Sequence, residues 1–84
     1  MTNAELVERI SVFINEIRSN KGLDALAVRE STSLLDGDSG FDSLDLAALV
    51  VDLQSATDYD PFYAGFINFT TAGELAALFA SRAK

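Results

Sequence analysis

Ser43 is the side chain in this sequence placed to take part in chemistry. It follows Asp42, precedes Leu44 and Asp45, and opens the apolar run Leu46-Ala47-Ala48-Leu49-Val50-Val51-Asp52-Leu53. An alcohol in that position can cap a helix, act as a nucleophile for its own protein, or serve as an attachment point for a group that another enzyme delivers. The nucleophile reading needs a base. The 84 residues include no histidine and no cysteine, which removes the Ser-His-Asp arrangement, thiol catalysis, disulfides and nearly every zinc site. Nor is Gly40-Phe41-Asp42-Ser43-Leu44 the Gly-x-Ser-x-Gly elbow of the hydrolases. A cap and an attachment point remain. Asp42 and Ser43 are both good N-cap residues, and Asp45 places a negative charge in the first turn, where the helix dipole favours it.

A second chemistry, calcium binding, is offered by Asp36-Gly37-Asp38-Ser39-Gly40. Asp36 and Asp38 match the first two ligand positions of an EF-hand. Gly40 then stands where a third oxygen ligand belongs, Phe41 replaces the required glycine, and Ala47 replaces the bidentate glutamate. The stretch reads as an acidic turn before a helix, and no metal site is expected.

The elements that must position Ser43 follow from periodicity. Thr2-Asn3-Ala4-Glu5 fits a capping box. Leu6, Val7, Ile10, Phe13, Ile14 and Ile17 then recur at three- and four-residue spacing, the pattern of an amphipathic helix. Asn20-Lys21-Gly22 stops it, with Gly22 suited to a left-handed position. Residues 23 to 41 form a long connection. Asp24 to Arg29 could make a turn there, and Leu34-Leu35 pins the connection to the core. The second helix runs from Asp42 or Ser43 to about Ser55, with Leu46, Leu49, Val50 and Leu53 as its core face and Ala47 and Val51 toward the flanks. Pro61 ends the helical region, and Phe62-Tyr63-Ala64-Gly65-Phe66-Ile67 is a short aromatic segment with room for one helical turn. Thr71-Ala72-Gly73-Glu74 is another capping box, followed by Leu75, Ala76, Leu78 and Phe79 as the buried stripe of a last helix and by the cationic end Ser81, Arg82 and Lys84. The fold class is all-α, a single domain over residues 1–84: a small bundle of three main helices plus one short one, with a long loop between the first two.

These features together resemble the acyl carrier protein family. The family's core motif is Asp-Ser-Leu, usually with Gly two residues before the Asp, and here it reads Gly40-Phe41-Asp42-Ser43-Leu44-Asp45. The likeness covers nearly the whole chain, including the Thr-rich cap Phe69-Thr70-Thr71-Ala72-Gly73-Glu74-Leu75 of the last helix. The resemblance implies that Ser43 carries 4′-phosphopantetheine, transferred from coenzyme A by a phosphopantetheinyl transferase, with Asp42 and Leu44 beside the attachment point. The chain would then be no enzyme itself. It would hold acyl groups as thioesters on an imported thiol and deliver them to the acyl-loading, condensing and tailoring enzymes of a fatty-acid or polyketide pathway.

The resemblance also implies that the motif helix is the docking surface, with Asp42, Asp45, Asp52 and Val51 as contact residues. Positions where the family usually has glutamates are Ala48, Gln54 and Ser55 here, so that surface is diluted. On this reading, Asp45→Lys leaves helicity nearly unchanged and slows partner association. The aromatic segment either fills the core or, with Leu46, Val50, Phe62, Phe66 and Ile67, lines a cavity for the tethered chain.

Charge points the same way. With 13 acidic against 6 basic residues, the net charge is −7. That argues against nucleic acid as a partner and for basic docking patches on proteins. No segment reaches the ~18 apolar residues of a membrane span, and Met1-Thr2-Asn3-Ala4-Glu5 lacks a signal-peptide layout. The expectation is a cytoplasmic, freestanding monomer without a membrane partner. Two alternatives stay open: an aminoacyl or peptidyl carrier of a nonribosomal pathway, and an unmodified helical interaction module in which Ser43 is only a cap.

Overall fold

The computed structural model describes residues 2–34, 42–63, 65 and 68–80, and of Ser43 the backbone alone. These residues form a small all-helical bundle of three helices: α1 (Asn3–Asn20), α2 (Ser43–Thr57) and α3 (Ala72–Ala80).

Each boundary has a local cause. At the start of α1, Thr2 Oγ1 accepts from Glu5 N at 3.2 Å, while Glu5 Oε1 accepts from Thr2 N at 2.8 Å, so two otherwise unpaired donors are satisfied. The helix stops in a Schellman motif. Gly22 adopts φ +76°, its N–H bonds to the Ser19 carbonyl at 3.0 Å, and Leu23 N–H bonds to the Arg18 carbonyl at 2.8 Å. Asp58 ends α2 in the left-handed region, φ 54°. The Glu74 box at α3 also forms: Glu74 Oε1 accepts from Thr70 N at 2.6 Å and Thr71 N at 3.1 Å, and Thr71 Oγ1 accepts from Glu74 N at 3.1 Å.

The core collects Leu6, Ile10 and Ile14 of α1, Leu49 and Leu53 of α2, and Ala72, Leu75, Ala76 and Phe79 of α3, with Leu34 and Phe69 entering from the connections. Of the expected core face of α2, Leu46 and Val50 are only half-buried, since among the described residues no further helix covers that side of α2. Phe62 stands between Phe69 and Phe79, with ring centroids 6.2 and 6.3 Å away, the second pair edge to face.

The long connection is tied down at several places, the first where Arg18 Nε donates to the Asp24 carbonyl at 2.7 Å. Asn15 clamps it to α1: Asn15 Oδ1 accepts from Leu26 N at 2.7 Å, and Asn15 Nδ2 donates to the Leu26 carbonyl at 3.1 Å. Further on it is stitched to the start of α3. Leu34 N bonds to Thr70 O at 2.8 Å, Ala72 N to Thr32 O at 2.9 Å and Gly73 N to Glu30 O at 2.9 Å, around an isolated antiparallel bridge between Ser33 and Thr71. The turn expected within 24–29 falls instead at 29–32, where Thr32 N bonds to Arg29 O at 3.0 Å. Leu34 is buried as expected. Leu35, the acidic stretch 36–40 and the cationic end 81–84 lie outside the described residues, as do Ala64, Phe66 and Ile67 of the aromatic segment. In that segment the described part is a turn, with Tyr63 N bonded to Asp60 O at 3.3 Å, and the expected short helix is not among the described elements. No helix among the described residues is long and apolar enough to cross a membrane.

Gly73 is required by the stitch. A Cβ there would lie 2.9 Å from both the Cβ and the carbonyl oxygen of Glu30. On an open helix surface Gly→Ala stabilises by about 1 kcal/mol. Here Gly73→Ala is expected to destabilise by about 1–3 kcal/mol through overpacking. Urea unfolding measures this directly, and a stabilised variant would mean that the connection does not sit on α3.

Candidate functional site

At the N-terminus of α2, Asp42 is the cap. It has extended backbone (φ −106°, ψ −178°), its Oδ1 accepts from Asp45 N at 2.9 Å, and Asp45 Oδ2 accepts from Asp42 N at 3.2 Å. The two aspartates thus form a capping box of their own, in place of the Ser/Thr-x-x-Glu signature. Ser43 is therefore the first helical residue and not the cap.

Asp45 has a further partner. Lys21, just past the end of α1, places Nζ 2.6 Å from Asp45 Oδ2. This hydrogen bond, with the Asp42 N–H, holds the Asp45 carboxyl below the usual carboxylate range, and the same contact raises Lys21. Two turns along α2, Asp52 is gripped by Arg9 through Nε at 2.9 Å and Nη2 at 3.1 Å, the bidentate geometry of a guanidinium on a carboxylate. Both pairs join α1 to α2. Periodicity could not reveal them, since the partners lie 24 and 43 residues apart.

Of the expected docking residues, Asp42 is exposed, whereas Asp45 and Asp52 are engaged within the chain. Asp45→Lys would remove the capping partner and set two lysines together, so the expectation of unchanged helicity is revised: the first turn of α2 should loosen. Val51 is 62% exposed and Leu44 79%, so the outward side of α2 carries apolar groups where carboxylates were sought.

Beside this terminus lies an apolar groove of about 460 Å³. One wall is α2, through Leu46, Ala47, Val50, Val51 and Gln54. The other is the connection to α3, through Asp60, Phe62 and Phe69. Ser43 opens the same helix, one turn before Ala47. The structure brings Leu46, Val50 and Phe62 together along this groove, while Phe66 and Ile67 lie outside the described residues. It adds Gln54, Asp60 and Phe69, which the sequence did not single out. Phe62 serves both readings of the aromatic segment, reaching Phe79 in the core and lining the groove. A second, more charged groove follows α1 past Glu5, Glu8, Arg9, Val12, Phe13 and Glu16. Among the described residues no group of acidic side chains is arranged to hold a metal ion.

No protein-family model matches the chain, and neither a curated protein nor a solved structure matches it.

The Asp45 contacts set a pH dependence. A carboxylate whose folded pKa is depressed contributes stability above its unfolded pKa of about 4 and loses that contribution as the pH falls through the folded value. Asp45→Asn should therefore melt below wild type by a constant margin above about pH 5, and the margin should shrink in acid. Comparing the two proteins cancels the general relief of acidic self-repulsion. Melting curves from neutral pH downward check this, and a margin that widens in acid would contradict the assigned contacts.

Proposed function

We propose that this chain is a carrier protein that holds acyl intermediates on a 4′-phosphopantetheine arm at Ser43. The observation that supports it most is local. Asp42 performs the capping that would otherwise account for Ser43, and Ser43 is the first residue of the helix whose next turns line the apolar groove. On this reading the bundle is of the acyl carrier type.

The residues present fit the arm. The dipole at the N-terminus of α2 favours a phosphodiester, and the Asp42 and Asp45 carboxylates oppose it, so that net attraction is small. Lys21 stands one side chain away across Asp45, and the groove begins one turn further on. In the transfer, the Ser43 hydroxyl oxygen bonds to the phosphorus of coenzyme A that bears the pantetheine. The pyrophosphate bond breaks, adenosine bisphosphate leaves, and the hydroxyl proton passes to a base of the transferase. Once bound, the arm supplies the thiol on which an acyl group is held as a thioester. The chain's own part is to present Ser43, to shelter an apolar cargo against Leu46, Val50 and Phe62, and to offer partners the exposed side of α2. Those partners are the transferase and the loading, condensing and tailoring enzymes of a fatty-acid or polyketide type of pathway.

One observation favours a different class, an unmodified interaction module: Leu44 and Val51 are exposed on α2. Intact mass separates the two. Incubated with coenzyme A and broad-specificity transferases, the carrier gains one phosphopantetheinyl group. A chain that stays at its starting mass with several such transferases is not a carrier.

A further inference from the structure

The groove is apolar along its walls but polar at the end far from Ser43. There Gln54 Nε2 donates to Asp60 Oδ1 at 3.1 Å, and the same oxygen accepts from Phe62 N at 2.9 Å. Main-chain contacts hold this end in place. The Gln54 carbonyl accepts from the N–H groups of Asp58 and Tyr59, where α2 stops. Gln54 lines the groove, and among the described residues its Oε1 takes no hydrogen bond, so its own chain leaves that acceptor unused.

We infer that the Gln54–Asp60 pair reads the far end of the cargo and selects acyl chains of medium length bearing a hydrogen-bond donor, in the simplest case a hydroxyl, over plain hydrocarbon chains. The inference rests on the carrier reading above and names the substrate class for that site. From Leu46 to Gln54 the helix rises about 12 Å at 1.5 Å per residue. An extended chain advances about 1.2 Å per bond, as a peptide of three bonds per residue does, so about ten bonds reach from one end to the other. A saturated chain of that length sets its methyl group against an amide and a carboxylate, stripping them of water with nothing in return. A terminal hydroxyl donates to Gln54 Oε1 and leaves the Gln54–Asp60 bond intact. A shorter chain stays among Leu46, Val50 and Phe62 and never meets the pair.

The test loads Ser43 with decanoyl or ω-hydroxydecanoyl pantetheine from the corresponding coenzyme A thioesters, with intact mass recording the loading. Two readouts follow: the melting temperature, and the NMR position of the Gln54 side-chain amide. The hydroxylated form should melt roughly 5 °C above the plain one, the effect of one additional hydrogen bond in a domain of this size. The Gln54 amide should move only in the hydroxylated form. Gln54→Leu should abolish or reverse the order of melting. Loaded proteins that melt alike, with an unmoved Gln54 amide, overturn the selection while the carrier reading stands. Failure of both thioesters to load overturns both readings.

Discussion

Ser43→Ala protein should leave a reaction with transferase and coenzyme A at its starting mass, with its fold intact. The first half of that result follows from the chemistry, since the methyl group of alanine has no oxygen to bond to phosphorus. The second half follows from the capping geometry. Were Ser43 the cap, its loss would cost about 0.5–2 kcal/mol and confound the experiment. Because Asp42 caps α2 and Ser43 is already helical, alanine at that position should be neutral or slightly stabilising, by no more than about 0.5 kcal/mol. Ser55, exposed on the last turns of the same helix, is the natural control, and Ser55→Ala should be modified as wild type is. A Ser43→Ala protein that still gains the group would move the attachment elsewhere. One that loses helicity would return Ser43 to a structural role.

Leu49→Ala and Phe79→Ala should each bring the domain close to unfolding. Leu49 is completely buried and Phe79 almost so, and truncations of this kind cost about 2–5 kcal/mol. At about 0.05–0.15 kcal/mol per residue, a chain of this length has a total stability of only about 4–13 kcal/mol. The two variants differ in what else they disturb. Phe79 meets the Phe62 ring edge to face at 6.3 Å, so its loss also removes the support behind one wall of the groove. Leu49 lies on the opposite, core-facing side of α2. Thermal melts give the stabilities, and an unshifted melt for either variant would mean that the buried faces of α2 and α3 are misassigned.

Features determined within a turn or two of chain were readable in advance. The boxes at Thr2–Glu5 and Thr71–Glu74, the stop at Gly22 and the α1 stripe all depend on residues three or four positions apart, and each is found. The start of α2 was read to within one residue, but the choice between Asp42 and Ser43 was not resolved, because both side chains suit a cap. Asp45 proved to be the reciprocal partner in that cap as well as a first-turn charge. What had no local signal was missed. The Lys21–Asp45 and Arg9–Asp52 pairs, the Asn15 clamp on Leu26 and the Ser33–Thr71 bridge join positions with no periodic relation. The groove was half legible. Leu46 and Val50 were read as apolar and inward-facing, but nothing in the pattern showed that their side of α2 would stay partly open, or that Gln54 and Asp60 would meet beyond them.

The stitch between residues 30–34 and 70–73 constrains the order in which a growing chain can become a domain. During synthesis α1 can form as soon as it emerges, since its cap and its stop are local. Segment 30–34 then waits for Thr70, Ala72 and Gly73, and Leu75 and Phe79, which complete the shared core, follow them. Contacts this distant in sequence form only after the intervening chain has closed on itself. A ribosome-bound chain ending before Thr70 would therefore hold α2 without the frame that fixes it, so the shared core closes only once residues 70–79 have emerged.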